Sequence, residues 1–266
     1  MSMTLFRRIT QGLTLLLIIA VPVMNIKGIT AVTGSLYSMA FGPLQITDPL
    51  SGFQVLISGM DWDNVLLLSL LIPVLLALFF GRVFCGWVCP QNALSELFDF
   101  LSEKLKPRRM FHPPLTAMWR YGLLILLIAL VLFLHFPVAN LISAPGIISV
   151  QITKYIYEGR VGIELGLIGL IVLAEVFLIR RVWCNYVCPV GGFLGVFRFG
   201  KTMRVHYKED ADHICGRCSE CVLACRLGLD PMAGNLYPLC HNCGDCIAAC
   251  ERIKNEGKPL FFSFGK

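Results

Sequence analysis

The chain has 266 residues, 56% of them hydrophobic and only 15% charged, with a mean hydropathy of +0.70. A soluble domain of this length needs more polar cover, so the composition excludes an ordinary water-soluble protein and points to a membrane protein. The net charge of +6 reads as a topology signal and as contact with anionic membrane lipid, with no nucleic-acid partner implied.

In chain order, LFRRIT opens the sequence and an apolar run follows over about 12–26. No small-residue cleavage site follows it, so an uncleaved first helix is expected, with Arg7 and Arg8 as its inner anchor. Further apolar runs at about 65–80, 121–139 and 162–179 approach the roughly 20 residues that a bilayer demands. Twenty of the 23 Lys and Arg residues lie before the first run, between the second and third, or after the fourth, and only Lys27, Lys154 and Arg160 lie elsewhere. This asymmetry predicts a multi-pass membrane protein with both termini cytoplasmic. The outer loops carry apolar pieces at 50–57 and 146–156, expected to lie along the outer surface.

RVFCGWVCP at 82–90 returns 99 positions later as RVWCNYVCP at 181–189. NALSELFDFL (92–101) then lies opposite GGFLGVFRFG (191–200), and ITDP (46–49) faces ISAP (142–145). The expected fold class is therefore an all-α membrane domain over 1–205, four transmembrane helices arranged as a duplicated helix hairpin about an axis along the membrane normal. After Pro90, Leu94, Leu97, Phe98, Leu101 and Leu105 keep helical spacing, with Glu96, Asp99, Glu103 and Lys104 on other faces. That pattern predicts an interfacial amphipathic helix.

Cys85, Cys89, Cys184 and Cys188 would meet at the cytoplasmic face. They have three uses open to them: ligands of a further iron–sulfur cluster, a redox-active dithiol pair, or small residues capping a packed helix end. Trp87 and Tyr186, at matching positions, would shield such a site or anchor the helices at the interface.

The tail, 206–266, contains CGRCSECVLAC (215–225) and CHNCGDCIAAC (240–250). Each is CxxCxxCxxxC, the spacing of a bacterial ferredoxin-like domain with two 4Fe-4S clusters. The fourth cysteine of each motif crosses to the other cluster. Cys215, Cys218, Cys221 and Cys250 then hold one cluster, and Cys240, Cys243, Cys246 and Cys225 the other. Structural zinc also uses CxxC pairs but does not need the third and fourth cysteines in both copies. Arg226 and Glu251 stand where proline usually follows the fourth cysteine. His241, inside the second motif, is expected at the surface. All twelve cysteines fall on the reducing side, which favours metal or redox chemistry over disulfides.

No CxxCH, GxGxxG after a strand, or P-loop occurs, so covalent haem, nucleotide-dependent hydride transfer and ATP hydrolysis are not expected. The quinone pool is the natural partner of such a carrier. Ionisable residues within apolar helices are candidates for the quinol site by default: Glu175, with pairing to Arg180 or Arg181 as its structural alternative, and His135 and Glu164 near the outer helix ends.

Four membrane runs, two CxxxCP motifs and a double CxxCxxCxxxC tail together resemble the membrane quinol-dehydrogenase subunit of periplasmic nitrate reductase systems, the NapH type. The core is shared with a regulator of nitrous-oxide respiration and with a copper-reducing assembly factor of cbb3-type oxidases. About eleven residues precede the first run and the chain stops soon after Cys250, so the short NapH-like form is expected. The resemblance implies quinol as substrate, with electrons passed through a periplasmic iron–sulfur or cytochrome partner subunit to a periplasmic reductase, nitrate reductase foremost. The competing function is a maturation factor whose CxxxCP thiols reduce a metal or a disulfide on a client.

Overall fold

The computed structural model describes residues 3–59, 64–102, 116–177, 180–197, 200–208, 218–233, 236–253 and 259–265. The first apolar run forms α1 (Met3–Ile26). Among the described residues it is the one helix both long and apolar enough to cross a membrane. The other three runs form α3 (Asn64–Phe80), α6 (Thr116–Leu134) and α9 (Glu164–Phe177). These are apolar almost all round, and Leu68, Leu71, Ile125, Phe133, Leu170 and Phe177 are exposed on them. A helix greasy on every face is built for burial or for lipid.

Between α1 and α3 the expectation of an all-α membrane domain is corrected. Strands β1 (Val32–Ser35), β2 (Ser38–Phe41) and β3 (Leu44–Thr47) form an antiparallel meander, with Ser35 opposite Ser38 and Phe41 opposite Leu44. Both turns have two residues, and Gly42 takes the positive φ that the second requires,. The sheet is tied inward, because the Tyr37 hydroxyl donates to the Asn140 carbonyl at 2.6 Å and the Leu36 N–H donates to Ser149 Oγ at 3.1 Å.

The two outer apolar pieces are also corrected. They form α2 (Pro49–Ile57) and α8 (Ala144–Glu158), and one face of each enters the core while Lys154 and Tyr155 of α8 stay exposed. Leu50 of α2 packs with Ala77, Leu124, Leu127, Cys188 and Phe193, while Ala144 and Ile147 of α8 pack with Ile168 and Ile171. Their polar positions have partners inside: the Gln54 side chain donates to Asn140 Oδ1 and accepts from the Ala139 N–H, both at 3.0 Å. Satisfied polar groups remove the penalty that would hold these helices at the surface.

The short helices α4 (Val83–Trp87), α5 (Pro90–Ser102), α7 (Val138–Leu141) and α10 (Pro189–Leu194) complete this part. The contacts repeat as a duplication would make them: α2 touches α6 and α10, and α8 touches α1 and α5.

Asp48 caps α2, accepting from the Ser51 N–H at 3.0 Å. Burial pushes its carboxyl up from 3.8 to about 6. A raised folded-state value means that the folded protein binds the proton more tightly, so Asp48 costs stability as pH rises from 3.8 to about 6,. Asp48→Asn keeps the capping oxygen and removes the charge. It is expected to stabilise the detergent-solubilised protein by about 3 kcal/mol at neutral pH, with no gain below the window. Unfolding midpoints of both proteins at the two pH values check this, and a gain that does not depend on pH would refute it.

In the tail, β4 (Met203–Tyr207) pairs antiparallel with β5 (Leu260–Phe264), and α11 (Glu220–Ala224) packs against α12 (Asp245–Ile253). Val205, Leu236, Ile247 and Leu260 share its core with Cys221, Cys246 and Cys250. These elements form the tail unit, and its first strand spans the boundary expected at 205.

Candidate iron–sulfur centre

The repeated motif folds the same way twice. In the first copy the Cys89 N–H reaches back to the Phe84 carbonyl at 2.9 Å, and in the second the Cys188 N–H reaches the Trp183 carbonyl at 2.8 Å. Both are five-residue closures, and the second copy is a full π-helical turn, Trp183–Val187. Such wide turns recur at functional sites. The proline that follows has no N–H to satisfy and starts the next helix at once.

These turns bring the four thiols together. Cys89 and Cys188 are buried, Cys85 and Cys184 half-buried, and Cys89 lies within electrostatic reach of Cys85, Cys184 and Cys188. Burial pushes the Cys188 thiol up to about 11 and raises Cys89 and Cys184 as well. Thiols in this state give up their protons to a metal that replaces the lost solvation. Among the described residues no three His, Cys, Asp or Glu side chains converge closely enough for one ion. A cubane suits the arrangement better, because each of its thiolates binds a different iron.

Two buried guanidiniums face the same space. Arg82 is 1% and Arg120 3% exposed, and a Cβ added to Gly191 would stand 2.5 Å from Arg120 Nη2 and 2.7 Å from Arg82 Nη2. Arg82 Nη1 donates to the Pro238 and Leu239 carbonyls at 2.8 Å each, whereas Arg120 Nη1 and Nη2 are buried without a hydrogen-bond partner among the described residues. Adjacent buried cations are costly unless an anion completes the set. Four thiolates around a 4Fe-4S group form such an anion, so the residues present fit a cluster.

The tail docks directly onto the first motif. Trp87 Nε1 donates to the Asn242 carbonyl at 2.9 Å, and Asn242 Nδ2 donates to the Phe80 and Met203 carbonyls at 3.0 and 2.9 Å. Trp87 is thus a docking residue. A Cβ on Gly86 would lie 2.8 Å from the His241 carbonyl and 3.5 Å from Cys243 Cα, so the first CxxxC touches the second tail motif. His241 is 3% exposed, which corrects its expected surface position. Burial, with Arg82, Arg181, Arg7 and Arg226 nearby, pulls its imidazole well below the usual range and keeps it neutral.

Of the tail cysteines, Cys225 lies within electrostatic reach of Cys240 and Cys246, and Cys246 also within reach of Cys221, so cysteines of both motifs adjoin. Burial pushes the Cys240 thiol up to about 11. Cys221, Cys246 and Cys250 are buried and Cys218 exposed, and Cys215 lies outside the described residues.

The amphipathic helix expected after Pro90 forms, and its polar face is turned inward. Gln91, Asn92 and Ser95 are buried while Leu97 is 62% exposed; Glu103, Lys104 and Leu105 lie outside the described residues. Its carboxylates hold a cluster of ion pairs. Arg7 reaches Glu96 at 3.3 Å and Asp245 at 3.0 Å, Arg226 reaches the same two at 3.4 and 3.1 Å, and Arg180 and Arg181 reach Asp99 at 3.1 and 3.2 Å. Charge counting along the sequence treats these arginines as topology markers and misses this network. The signal was present in RV before each CxxxC and in the Glu96 to Asp99 spacing.

The three quinol-site candidates are not brought together. Glu175 is half-buried beside Arg181 and Cys184, while Arg180 and Arg181 pair with Asp99 instead. His135, with its Nδ1 3.2 Å from the Ser58 carbonyl, and Glu164, accepting from Gln151 at 3.0 Å, sit at the other ends of α6 and α9, roughly 20 Å from the cysteine ends.

Fold and site together define an iron–sulfur electron-transfer protein. The profile of a family described as 4Fe-4S binding domain matches residues 63–108 and 161–205, which are the two copies of the repeat. The methylamine utilization ferredoxin-type protein MauN of Methylorubrum extorquens is 32% identical over 82% of this chain and 73% of its own length. The ferredoxin-type protein NapH of Escherichia coli is 27% identical over 71% of this chain, and Protein NirI of Paracoccus denitrificans 28% over 74%. The chain belongs to this NapH and MauN family of ferredoxin-type proteins. It spans 63% of the Escherichia coli NapH and 30% of NirI. No solved structure matches it.

Proposed function

We propose that the chain is a membrane electron-transfer subunit that oxidises a hydroquinone from the quinone pool and passes the electrons through three 4Fe-4S clusters to a partner oxidoreductase. In this reading α1, α3, α6 and α9 cross the bacterial inner membrane and both termini are cytoplasmic. Each bound cluster supplies reversible one-electron chemistry. The observation that carries the reading is the Arg82 and Arg120 pair set against Cys85, Cys89, Cys184 and Cys188, with Arg120 Nη1 and Nη2 buried without a hydrogen-bond partner among the described residues. The protein's own residues do the rest: Trp87 and Asn242 hold the tail against the first CxxxC, and the buried faces around them exclude water.

The maturation reading requires thiols that a client can reach. Cys89 and Cys188 are 7% and 9% exposed, and the tail abuts the first motif, so burial favours cluster ligation. The partner is a periplasmic nitrate reductase by resemblance to NapH, whereas the higher identity to MauN attaches the same core to methylamine utilization. The shared core is the electron carrier, and the partner decides the pathway.

Anaerobic purification in detergent is expected to give about twelve iron atoms per chain, and a reduced short-chain naphthoquinone is expected to bleach the visible cluster absorbance. Iron that stays near eight removes the third cluster, and an absence of bleaching removes the hydroquinone reading.

A further inference from the structure

Between α1, α5 and α8 lies a cleft of about 670 Å³. Its walls repeat at helical spacing, Gly12 and Leu15 on α1, Leu94 and Leu97 on α5, and Ile148 and Ile152 on α8. Its polar end is made by Gln11, Glu96, Asp99 and Arg226. Pockets of this size, largely apolar with a few converging polar groups, suit a small ring-bearing ligand. Outside it, Leu13 and Leu16 of α1 are 57% and 60% exposed, so the cleft opens beside the apolar surface through which a lipid-borne ligand would arrive.

The polar end is fixed rather than loose. Glu96 Oε1 accepts from Asn92 Nδ2 at 3.0 Å and from Gln11 Nε2 at 3.3 Å, and Oε2 faces Arg7 and Arg226. That end also adjoins the tail cysteines: Arg226 follows Cys225 in sequence and its Nε donates at 3.1 Å to Asp245, which precedes Cys246. Apolar walls, oriented carboxylates and neighbouring cluster ligands thus meet in one place. Glu175, His135 and Glu164 line no part of it.

We infer that this cleft is the hydroquinone-binding site, with the ring between Leu94 and Ile152 and a ring hydroxyl at Glu96. The inference rests on the hydroquinone reading above and gives it a location. The step balances as loss of two electrons and two protons from the hydroquinone to give the quinone. The electrons go singly to oxidised 4Fe-4S clusters held by the tail, and the protons pass by way of the Glu96 and Asp99 carboxylates to water at the mouth, where Arg8 is exposed.

Gly12 allows a test that spares the ion pairs. A Cβ there meets nothing within 4 Å and Gly12 lines the cleft, so Gly12→Trp has open space at its first atom and places an indole at the cleft wall. Gly166→Trp on α9, where a Cβ also meets nothing within 4 Å, is the control outside it. The full-length holoprotein in detergent is titrated with 2-heptyl-4-hydroxyquinoline N-oxide, read by fluorescence quenching, and its clusters are then reduced with a short-chain naphthohydroquinone. Gly12→Trp is expected to weaken inhibitor binding by about tenfold or more and to slow cluster bleaching, with iron content and the spin-resonance spectrum unchanged. Gly166→Trp is expected to match the parent. Parent-like binding and bleaching in Gly12→Trp overturns the location while leaving the hydroquinone reading intact. Equal losses in both variants also overturn the location, and loss only in Glu175→Gln assigns the site to α9. A parent that binds the inhibitor but is never reduced by hydroquinone removes the reading itself and leaves the cleft to a lipid chain.

Discussion

Cys85→Ser and Cys184→Ser, one from each copy of the repeat, are each expected to lower the iron content by about four atoms per chain, leaving the tail clusters in place. The two substitutions act alike because the ligands of one cubane come from both turns: losing a ligand from either half opens the same group. The loss is large for a second reason, since Arg82 and Arg120 would then face each other without their anion. A buried like-charge pair left uncompensated costs several kcal/mol, so the apo site is expected to rearrange and not to persist as an empty cage. Arg120→Gln in the Cys184→Ser background relieves that repulsion. It should recover part of the lost thermal stability without recovering iron. Iron counting with spin-resonance spectra of the parent and both variants decides the matter. Unchanged iron with abolished electron transfer would return the four cysteines to thiol chemistry.

The duplicated motif, the four apolar runs and the ferredoxin spacing were legible in the sequence because each depends on local periodicity or on exact intervals between like residues. Spacing alone pairs the two CxxCxxCxxxC motifs, and the structure brings Cys221 and Cys225 of the first within reach of Cys246 of the second. What the sequence concealed depends on partners far along the chain. His241 reads as a surface residue until Gly86, 155 positions earlier, is seen lying against it. The pieces at 50–57 and 146–156 read as surface segments because nothing local reveals that Asn140 satisfies Gln54. The meander at 32–47 was hidden for another reason. Its strands have four residues each, too few for alternation to register, and only the Gly42 and Pro43 turn marks it. Glu96 and Asp99 looked like the wet face of an interfacial helix, but arginines from three other parts of the chain make that face the buried one.

Those arginines lead to the second large effect. Arg7, in the first helix, is 1% exposed and joins Glu96 of α5 to Asp245 of α12, so one side chain ties the apolar part of the protein to the tail. Arg7→Leu removes the cation and leaves both carboxylates buried, with Arg226 as their remaining shared partner in the described network. Removing one member of a buried, hydrogen-bonded charge set costs about 3–5 kcal/mol, and here the loss falls on the interface between the tail and the apolar part. The expected result is a lower unfolding temperature in detergent and slower electron passage from the tail clusters to the CxxxC site, with total iron retained under anaerobic conditions. Arg7→Leu combined with Asp245→Leu discards the charge and its counterion together, so the double variant should be less damaged than the sum of the two single ones, by about 1–3 kcal/mol. Additive losses would show that Arg7 acts through packing alone. An unchanged electron-transfer rate in Arg7→Leu would show that Trp87 and Asn242 suffice to hold the tail in place.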